Sequence, residues 1–387
     1  MSAAAPPAAA TAGPAPRAAP FPPGLRADLE AALAARFGGP VRAHPMEALS
    51  SRISHVWRVA LSGPAGAPAT VVVKHLAAPW YGAPAGEEVP RDFLEEAAAY
   101  AFLEELADPP FCDRALRLAW IPGGALVLED LGPGDRTVPL GRVGDLLAVS
   151  FARLHAATAG RCAEHRAARL RMGIDPDGPD ARYDGVDAAA RRFARGTMAL
   201  AGWCEALAVA PAAEVAALLE AVETAVLRPG PFHTLVHDDL ASGRQCVVRC
   251  GRLLLLDWEN AKYAHALRDL AKVLTGKFER YLETGEMFRA CPEMEPALAA
   301  RYRRELARAG GPDVDDAAWG EALGAAVLYN TVVQVGALVG LHAVSTVVGE
   351  VLPNLRGLLF RMGEVLHSLP GWEDPRRILL NLGGRIA

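Results

Sequence analysis

The stretch HDDLASGRQCVVRCGRLLLLDWEN, from His237 to Asn260, is the most informative part of this sequence. Asp239 lies in a short loop, a predicted β-hairpin follows, and Asp257 comes directly after the apolar run Leu253–Leu256. An apolar strand is usually buried, so Asp257 is expected where that strand reaches a cleft. Two carboxylates brought together by a hairpin suit metal-assisted phosphoryl transfer, although each alone could cap a turn or a helix.

Composition narrows the class of protein. The chain has 387 residues, with 40 Lys and Arg against 45 Asp and Glu, which gives a net charge of −5. This balance argues against a nucleic-acid partner, because such proteins usually need a basic surface. The length predicts two or three structural units. Hydrophobic residues make up 51% and aromatic residues only 6%, so Ala, Val and Leu dominate, and Ala-rich sequence favours helices.

The cysteines and the apolar segments bear on cellular location. No CxxC pair occurs among the six cysteines, which favours free thiols in a reducing cytoplasm. The N-terminus lacks the pattern of a signal peptide. Between Glu321 and Glu350 there is no charged residue, and that length could span a bilayer. The segment contains Asn330, Gln334 and His342, so buried helices are the favoured interpretation and no membrane span is expected.

The elements of the chain can be predicted from periodicity. Residues 1–23 form an Ala- and Pro-rich segment that has little to bury and is predicted to be a disordered tail. A helix with Leu25, Leu29, Leu33 and Phe37 at spacing four follows and ends at Gly38. The further predicted elements are strands at His55–Leu61 and Thr70–Leu76, a helix at Arg91–Ala107, strands at Leu116–Trp120 and Ala125–Leu128, and a mainly helical region from Leu140 onward.

The window around the two carboxylates resembles the catalytic core of the aminoglycoside phosphotransferase/choline kinase-like family. That family has His-Gly-Asp, an Asn five residues after the Asp, and then Asp-Trp-Glu. Several residues agree with this pattern in order and separation: His237, Asp239, Asp257, Trp258 and Glu259. Asp269 matches a later Asp-Leu-Ala element, which in the family anchors a helix.

Elements nearer the N-terminus resemble the same family. Lys74 ends the run Val71–Val73, as does the family's Lys that contacts nucleotide phosphates. Glu96 precedes a run of small residues and resembles the helix Glu that pairs with that Lys; the neighbouring Glu95 fits less well. The segment 126–132 resembles the hinge that binds adenine, with Glu129, Asp130 and Leu131 as its candidate residues.

The resemblance implies a fold, an activity and a division of the chain. The fold is α+β and bilobal, protein-kinase-like, with a small N-terminal β-sheet lobe carrying one key helix and a large, mainly helical C-terminal lobe. The lobes would be residues 24–129 and 130–387. The implied activity moves the γ-phosphate of ATP or GTP, with Mg²⁺, to a hydroxyl of a small molecule, one that is aminoglycoside-, antibiotic- or amino-alcohol-like. Asp239 would be the base, Asp257 would bind metal, and His237 would mainly orient the loop.

Three positions depart from the family's pattern. The Asn of the family's pattern aligns with Arg244 by strict spacing, or with Gln245 if the loop is one residue longer. Gln245 is favoured because Cys246–Val248 then matches the family's next strand. Gln can bind Mg²⁺ through its carbonyl, whereas Arg244 could act only through its charge. Ser51 and Arg52 replace glycine in the predicted phosphate-covering loop, so their side chains would have to bind phosphate. Asp238 also replaces a glycine and is interpreted as a solvated loop residue.

Two alternatives to a small-molecule kinase remain open on the sequence. One is a kinase-fold enzyme that phosphorylates Ser or Thr of a peptide in a natural-product pathway. The other is a non-catalytic pseudokinase that acts as a subunit of a complex. The acidic residues between 175 and 187 would suit a cationic acceptor, but a solvated loop is the favoured explanation. The acceptor, the nucleotide and the oligomeric state are therefore not determined by the sequence.

Overall fold

The structure is a computed structural model that describes residue 21 and residues 23–50, 54–76, 91–106, 112–121, 124–132, 134, 140–175, 186–239, 245–275, 295–342 and 348–386. Ser51, Arg52, Arg244 and most of the predicted tail lie outside these residues. The chain divides into two compact units, the first made of residues 1–90 and 116–130 and the second of residues 91–115 and 131–387. The helix beginning at residue 91 thus belongs to the second unit by its contacts, although the sequence analysis placed it in the N-terminal lobe.

The first unit is an antiparallel sheet covered by one helix. Its elements are α1 (Pro23–Phe37), β1 (Arg42–Ser50), β2 (Ser54–Ser62), β3 (Thr70–Leu76), β4 (Arg117–Ile121) and β5 (Ala125–Glu129). The strands lie in the order β1-β2-β3-β5-β4, and each neighbouring pair is antiparallel. The predicted helix and four of the strands are confirmed, whereas β1 was not predicted. Helix α1 ends where Gly38, at φ +71°, adopts the left-handed conformation that glycine accepts most easily.

Alternation along the strands decides which face of this sheet packs on α1. Val71 and Val73 of β3 point to the same face as the inward residues of β2 and β5, and this face packs on Leu29 and Leu33 of α1. Phe21, which falls in the predicted tail, packs its ring against Trp57 with centroids 5.1 Å apart. Lys74 has the opposite parity, so it lies on the face of the sheet away from α1.

The second unit is mainly helical. Its helices are α2 (Arg91–Glu105), α3 (Leu140–Thr158), α4 (Cys162–Arg171), α5 (Val186–Ala206), α6 (Ala212–Leu227), α7 (Leu267–Thr275), α8 (Glu295–Arg308), α9 (Asp316–His342), α10 (Val348–His367) and α11 (Glu373–Arg385). Two short antiparallel pairs join them, β6 (His233–Val236) with β9 (Lys262–His265), and β7 (Cys246–Arg249) with β8 (Arg252–Leu255). The predicted α+β class, with a sheet first and a mainly helical remainder, is confirmed; strand β9 was not predicted.

Buried polar contacts fix the β7–β8 hairpin within the second unit. Its two-residue turn places Cys250 at φ +51° and Gly251 at φ +70°, as a type I′ turn requires. Ser150 of α3 donates to the Leu253 carbonyl at 3.0 Å, and the Leu255 N–H donates to the Asp113 carbonyl at 2.8 Å. The end of β8, and Asp257 beyond it, are therefore held in a defined position.

The long uncharged segment forms most of α9. One helix of the described residues, Asp316–Gly340, is long and apolar enough to cross a membrane, and 72% of its most apolar stretch is buried inside the protein. It packs against α5, α6, α7 and α10. These contacts fit the interpretation as a buried core helix.

Candidate active site

The loop that follows β6 carries His237, Asp238 and Asp239, and α7 anchors it. Asp269 of α7 accepts the backbone N–H of His237 at 2.8 Å and that of Asp238 at 2.7 Å. Its carboxylate also hydrogen-bonds His155 Nε2 at 3.1 Å, and His155 Nδ1 lies 2.7 Å from the Tyr302 hydroxyl. Burial alone would raise the pKa of Asp269, but the hydrogen bond and charge of His155 outweigh it and the pKa is lowered. Asp269 therefore holds the loop as a carboxylate.

His237 joins this loop to the end of β8. Its Nε2 donates to the Leu256 carbonyl at 2.6 Å, and its ring lies 4.8 Å from that of Trp258. The imidazole is fully buried. These contacts occupy one ring nitrogen with a backbone carbonyl, which suits the orienting role that the sequence analysis preferred for His237 over proton transfer.

Asp239 and Gln245 come together across the undescribed segment 240–244. Gln245 Nε2 donates to Asp239 Oδ2 at 3.2 Å, and Asp239 is 8% exposed. The Gln245 backbone carbonyl accepts the Leu256 N–H at 2.8 Å, so Gln245 lies opposite the residue that precedes Asp257. Since the amide uses its NH₂ group on Asp239, its oxygen is the atom that would bind a metal. The position of Arg244, the alternative to Gln245, is outside the described residues.

Asp257 belongs to a cluster of three carboxylates. Asp257 is in the left-handed region, at φ 63° and ψ 65°, immediately before the one-turn helix Trp258–Asn260. Oxygen atoms of Glu96, Asp257 and Glu259 all lie within 4.8 Å of one another. Carboxylate oxygens are the ligands that Mg²⁺ and Ca²⁺ prefer, so the donor set fits a hard divalent cation. Glu259 lies within the sequence motif, but the motif by itself predicts no role for it.

The packing of α2 turns its two neighbouring glutamates, Glu95 and Glu96, toward different partners. Glu95 forms a bidentate ion pair with Arg169 of α4, with N–O distances of 2.9 and 2.8 Å. Glu96 faces the turn at Trp258–Asn260, and Tyr100, one turn later, packs edge-on against Trp258. The structure thus places Glu96 in the carboxylate cluster and gives Glu95 a structural partner. Whether Glu96 also pairs with Lys74 stays a prediction.

The remaining candidates belong to the predicted phosphate and adenine sites. Lys74 of β3 lies opposite Val56 and Leu126 and is 8% exposed. The Glu129 backbone N–H donates a hydrogen bond to the Leu116 carbonyl at 2.8 Å, so this donor is already used within the sheet. Asp130 accepts Arg58 Nε at 2.8 Å, which gives its carboxylate a structural partner. Leu131 is buried and belongs to the second unit.

Asp238 contradicts its interpretation as a solvated loop residue. It is 5% exposed, and its carboxylate is paired with Lys262, Arg268 and Lys272. Burial by itself would raise its pKa, but the three cations hold the pKa well below its usual range. The prediction was wrong because two adjacent Asp residues in a loop do not by themselves indicate that one of them is buried. The sequence feature that could have indicated it is the group of three cationic residues further along the chain, Lys262, Arg268 and Lys272, which lie within eleven positions.

The chain matches no protein-family model and no curated protein sequence. Among solved structures it is similar to an amicoumacin kinase in complex with AMP-PNP, Ca²⁺ and Ami, at 11% identity and a TM-score of 0.48, covering 84% of this chain and 88% of that one. It is also similar to an aminoglycoside phosphotransferase from Alicyclobacillus acidocaldarius, at 14% identity and a TM-score of 0.47, covering 84% and 91%. An ethanolamine kinase from Plasmodium vivax is similar at 9% identity and a TM-score of 0.46, covering 82% of each chain.

Proposed function

We propose that this protein is a phosphotransferase that moves the γ-phosphoryl group of a nucleoside triphosphate to a hydroxyl group of a small molecule. One observation carries the proposal. Asp239 is bonded to Gln245 directly before β7, and Asp257 of the carboxylate cluster with Glu96 and Glu259 comes directly after β8, so both groups are at the open end of the β7–β8 hairpin. A base and a metal-ligating group at one hairpin are the two parts that phosphoryl transfer needs from a protein.

In this proposal each residue has a defined part in the reaction. Asp239 accepts the proton of the acceptor hydroxyl while that oxygen bonds to the γ-phosphorus and the bond from that phosphorus to the leaving oxygen breaks. Gln245 and the backbone held by Asp269 fix the direction of the Asp239 carboxylate. The Lys74 ammonium would bind phosphate oxygens as a point charge. Asp257, Glu96, Glu259 and the Gln245 amide oxygen would hold Mg²⁺, which when bound would neutralise charge on the phosphate groups.

The acceptor is proposed only as a class, an amino alcohol or an aminoglycoside-like alcohol. The motif resemblance in the sequence implies this class. ATP is the proposed donor, with GTP as the alternative. A panel of choline, ethanolamine and aminoglycosides, each with ATP or GTP, would identify the pair that supports release of nucleoside diphosphate.

The decisive variant is Asp239→Asn. It should lower the transfer rate by roughly 10²- to 10⁴-fold, since it removes the base. It should leave the thermal shift caused by Mg-ATP in place, because Asp239 contacts the acceptor rather than the nucleotide. The measurements are diphosphate release and the melting temperature with saturating Mg-ATP. Full transfer by the variant would exclude Asp239 as the base, and a parent chain that shows no Mg-ATP shift would favour a non-catalytic pseudokinase.

A further inference from the structure

We propose that Asp238 is a positioning residue, whose carboxylate is clamped by Lys262, Arg268 and Lys272 so that the loop presents Asp239 to the acceptor. This inference rests on the proposed function. Asp238 stands between the orienting His237 and the candidate base Asp239, so its backbone conformation sets the direction of both neighbours. We refer to Asp238 and its three cationic partners as the clamp.

The backbone of Asp238 needs support. Its φ is +54°, in the left-handed region that glycine enters freely and that other residues adopt only at a cost. Asp is one of the few other residues that tolerate this region. A relaxed loop would return to negative φ and would turn the Asp239 side chain away from its present position. Contacts made by the N–H, the carbonyl oxygen and the carboxylate of Asp238 must therefore hold its backbone in the left-handed conformation.

Every polar group of Asp238 is bound. Its N–H donates to Asp269 Oδ1 at 2.7 Å, and Lys272 Nζ donates to its carbonyl oxygen. Its carboxylate lies 2.8 Å from Arg268 Nη2 and 2.8 Å from Lys272 Nζ, and it also pairs with Lys262 Nζ. Contacts at the N–H, the carbonyl and the side chain fix the two backbone dihedral angles of one residue from three sides.

The partners of Asp238 come from rigid elements. Lys262 begins β9 opposite Val236, the last residue of β6. Arg268 and Lys272 are four apart on α7 and so share one face of that helix. Arg268 is also held by α9, since its guanidinium lies 5.2 Å from the centre of the Tyr329 ring. The clamp therefore ties the loop to strand β9, to helix α7 and, through Arg268, to helix α9.

The balance of charge explains why a neutral side chain could not replace Asp238. Three cations surround this one carboxylate, and Lys262 and Arg268 are almost entirely buried. Burial lowers the pKa of Lys262 to about 8, and repulsion by Arg268 and Lys272 acts in the same direction, while Asp238 opposes both. Without the carboxylate, three cations would repel one another in a buried space, and the loop would lose its attachment to them.

The test compares Asp238→Asn and Asp238→Gly with the parent chain. Asn tolerates positive φ and keeps the side-chain size but has no charge, whereas Gly adopts positive φ freely but has no side chain. The readouts are kcat and KM for Mg-ATP, with diphosphate release measured on the best acceptor of the panel or, if none is found, on water. At a temperature where all the proteins are folded, both variants should lose at least tenfold in kcat, with KM for Mg-ATP changed less than threefold.

A matched control separates positioning from stability. Leu382 of α11 is fully buried in the second unit among side chains of α5, α6, α9 and α11, none of which belongs to the clamp. Leu382→Ala should lower the melting temperature through the cavity that it leaves, as Asp238→Asn should through its lost ion pairs, but should leave the kcat of the folded protein within twofold of the parent. If Asp238→Asn does not fold, Lys272→Gln removes the most exposed cation of the clamp and should lower kcat more than it lowers stability.

The possible results give distinct conclusions. An active parent chain with unchanged kcat in Asp238→Gly and in Lys272→Gln would overturn the positioning role and leave the proposed function intact. A parent chain with no transfer or hydrolysis activity would overturn both, because positioning has no meaning without a reaction. A loss of kcat in Leu382→Ala equal to that in Asp238→Asn would also overturn the role, since both losses would then reflect general destabilisation.

Discussion

At the scale of single residues, the adjacent pair Glu95 and Glu96 shows how packing separates two chemically identical side chains. Glu95 is neutralised by Arg169, whereas Glu96 is buried beside two further carboxylates. Three carboxylates whose oxygen atoms lie within 4.8 Å of one another form a donor set that suits a divalent cation. Their convergence therefore favours a ligand-binding role over a purely structural one.

Substitution of the two glutamates should give different results. Glu96→Gln should raise the Mg²⁺ concentration needed for a half-maximal thermal shift by about tenfold, because it removes one carboxylate from the donor set. Glu95→Gln should lower the free energy of unfolding by about 3 kcal/mol, since it leaves Arg169 without its carboxylate. Thermal unfolding across a Mg²⁺ titration measures both.

The adjacent substitution is itself the control. Glu95→Gln should leave the Mg²⁺ midpoint unchanged once its lower stability is taken into account. An equal change of the Mg²⁺ midpoint in both variants, or an unchanged midpoint in Glu96→Gln, would show that Glu96 does not bind the metal.

At the scale of elements, the crossing of α5 and α9 depends on two glycines. A Cβ at Gly196 would lie 2.1 Å from the Val332 carbonyl oxygen, and one at Gly336 would lie 1.7 Å from the Arg192 carbonyl oxygen. Both distances fall inside van der Waals contact with backbone atoms, so neither position can accept a side chain unless the helices move. This close approach sets the position of α9, which packs on α7 and thereby supports the anchored loop.

Two glycines of the same helix should respond oppositely to alanine. Gly196→Ala should destabilise the protein by about 2 kcal/mol or more, because the helices must separate. Gly202→Ala has no atom within 4 Å of the added Cβ and should stabilise the protein by up to about 1 kcal/mol, the usual gain from replacing glycine inside a helix. Urea denaturation of both variants measures the difference. Equal effects in the two variants would show that the helices do not approach this closely.

At the scale of the whole molecule, buried histidines link stability to pH. His265 is 9% exposed, and its Nδ1 accepts the Leu267 N–H at 3.3 Å, so the ring is held neutral. Burial first, and then the charges of Arg268, His155 and His233, lower the pKa of His265 to about 4. Burial likewise lowers the pKa of His165 to about 3. Each ring takes up a proton when the protein unfolds in mild acid.

Stability should therefore fall as the pH is lowered. Between pH 6.5 and pH 4 the unfolded state binds more protons at His265 than the folded state does, so the free energy of unfolding should decrease by about 3 kcal/mol from this ring alone. His265→Asn keeps an acceptor for the Leu267 N–H but cannot titrate, so it should flatten the slope over this range. Chemical denaturation at several pH values measures the slope.

The control for this prediction is His367→Asn, at an exposed ring of α10. It should leave the dependence of stability on pH as it is in the parent chain. If His265→Asn changes the slope no more than His367→Asn does, His265 is not the source of the acid sensitivity.

The sequence by itself determined the order and type of most elements and the residues that form the candidate site. Local periodicity and turn chemistry predicted α1, the hairpin β2–β3, α2 and the hairpin β7–β8, because these depend on neighbours close in the chain. The spacing of the motif also singled out Asp239 and Asp257, because the residues of that motif lie close together in the chain. Strand β9 was missed, since its short segment takes its conformation from pairing with β6.

Only the tertiary structure decided which side chains of the candidate site lie together. The resemblance favoured Glu96 over Glu95, and the structure supplies the physical reason, because helix α2 turns only Glu96 toward the turn at Trp258–Asn260. The addition of Glu259 to the carboxylate cluster depends on that same turn. The burial of Asp238 depends on cations from β9 and α7, which lie 24 to 34 positions further along the chain. Such contacts arise when segments that are distant in the chain pack together. Local sequence patterns do not show which side chains face one another after that packing.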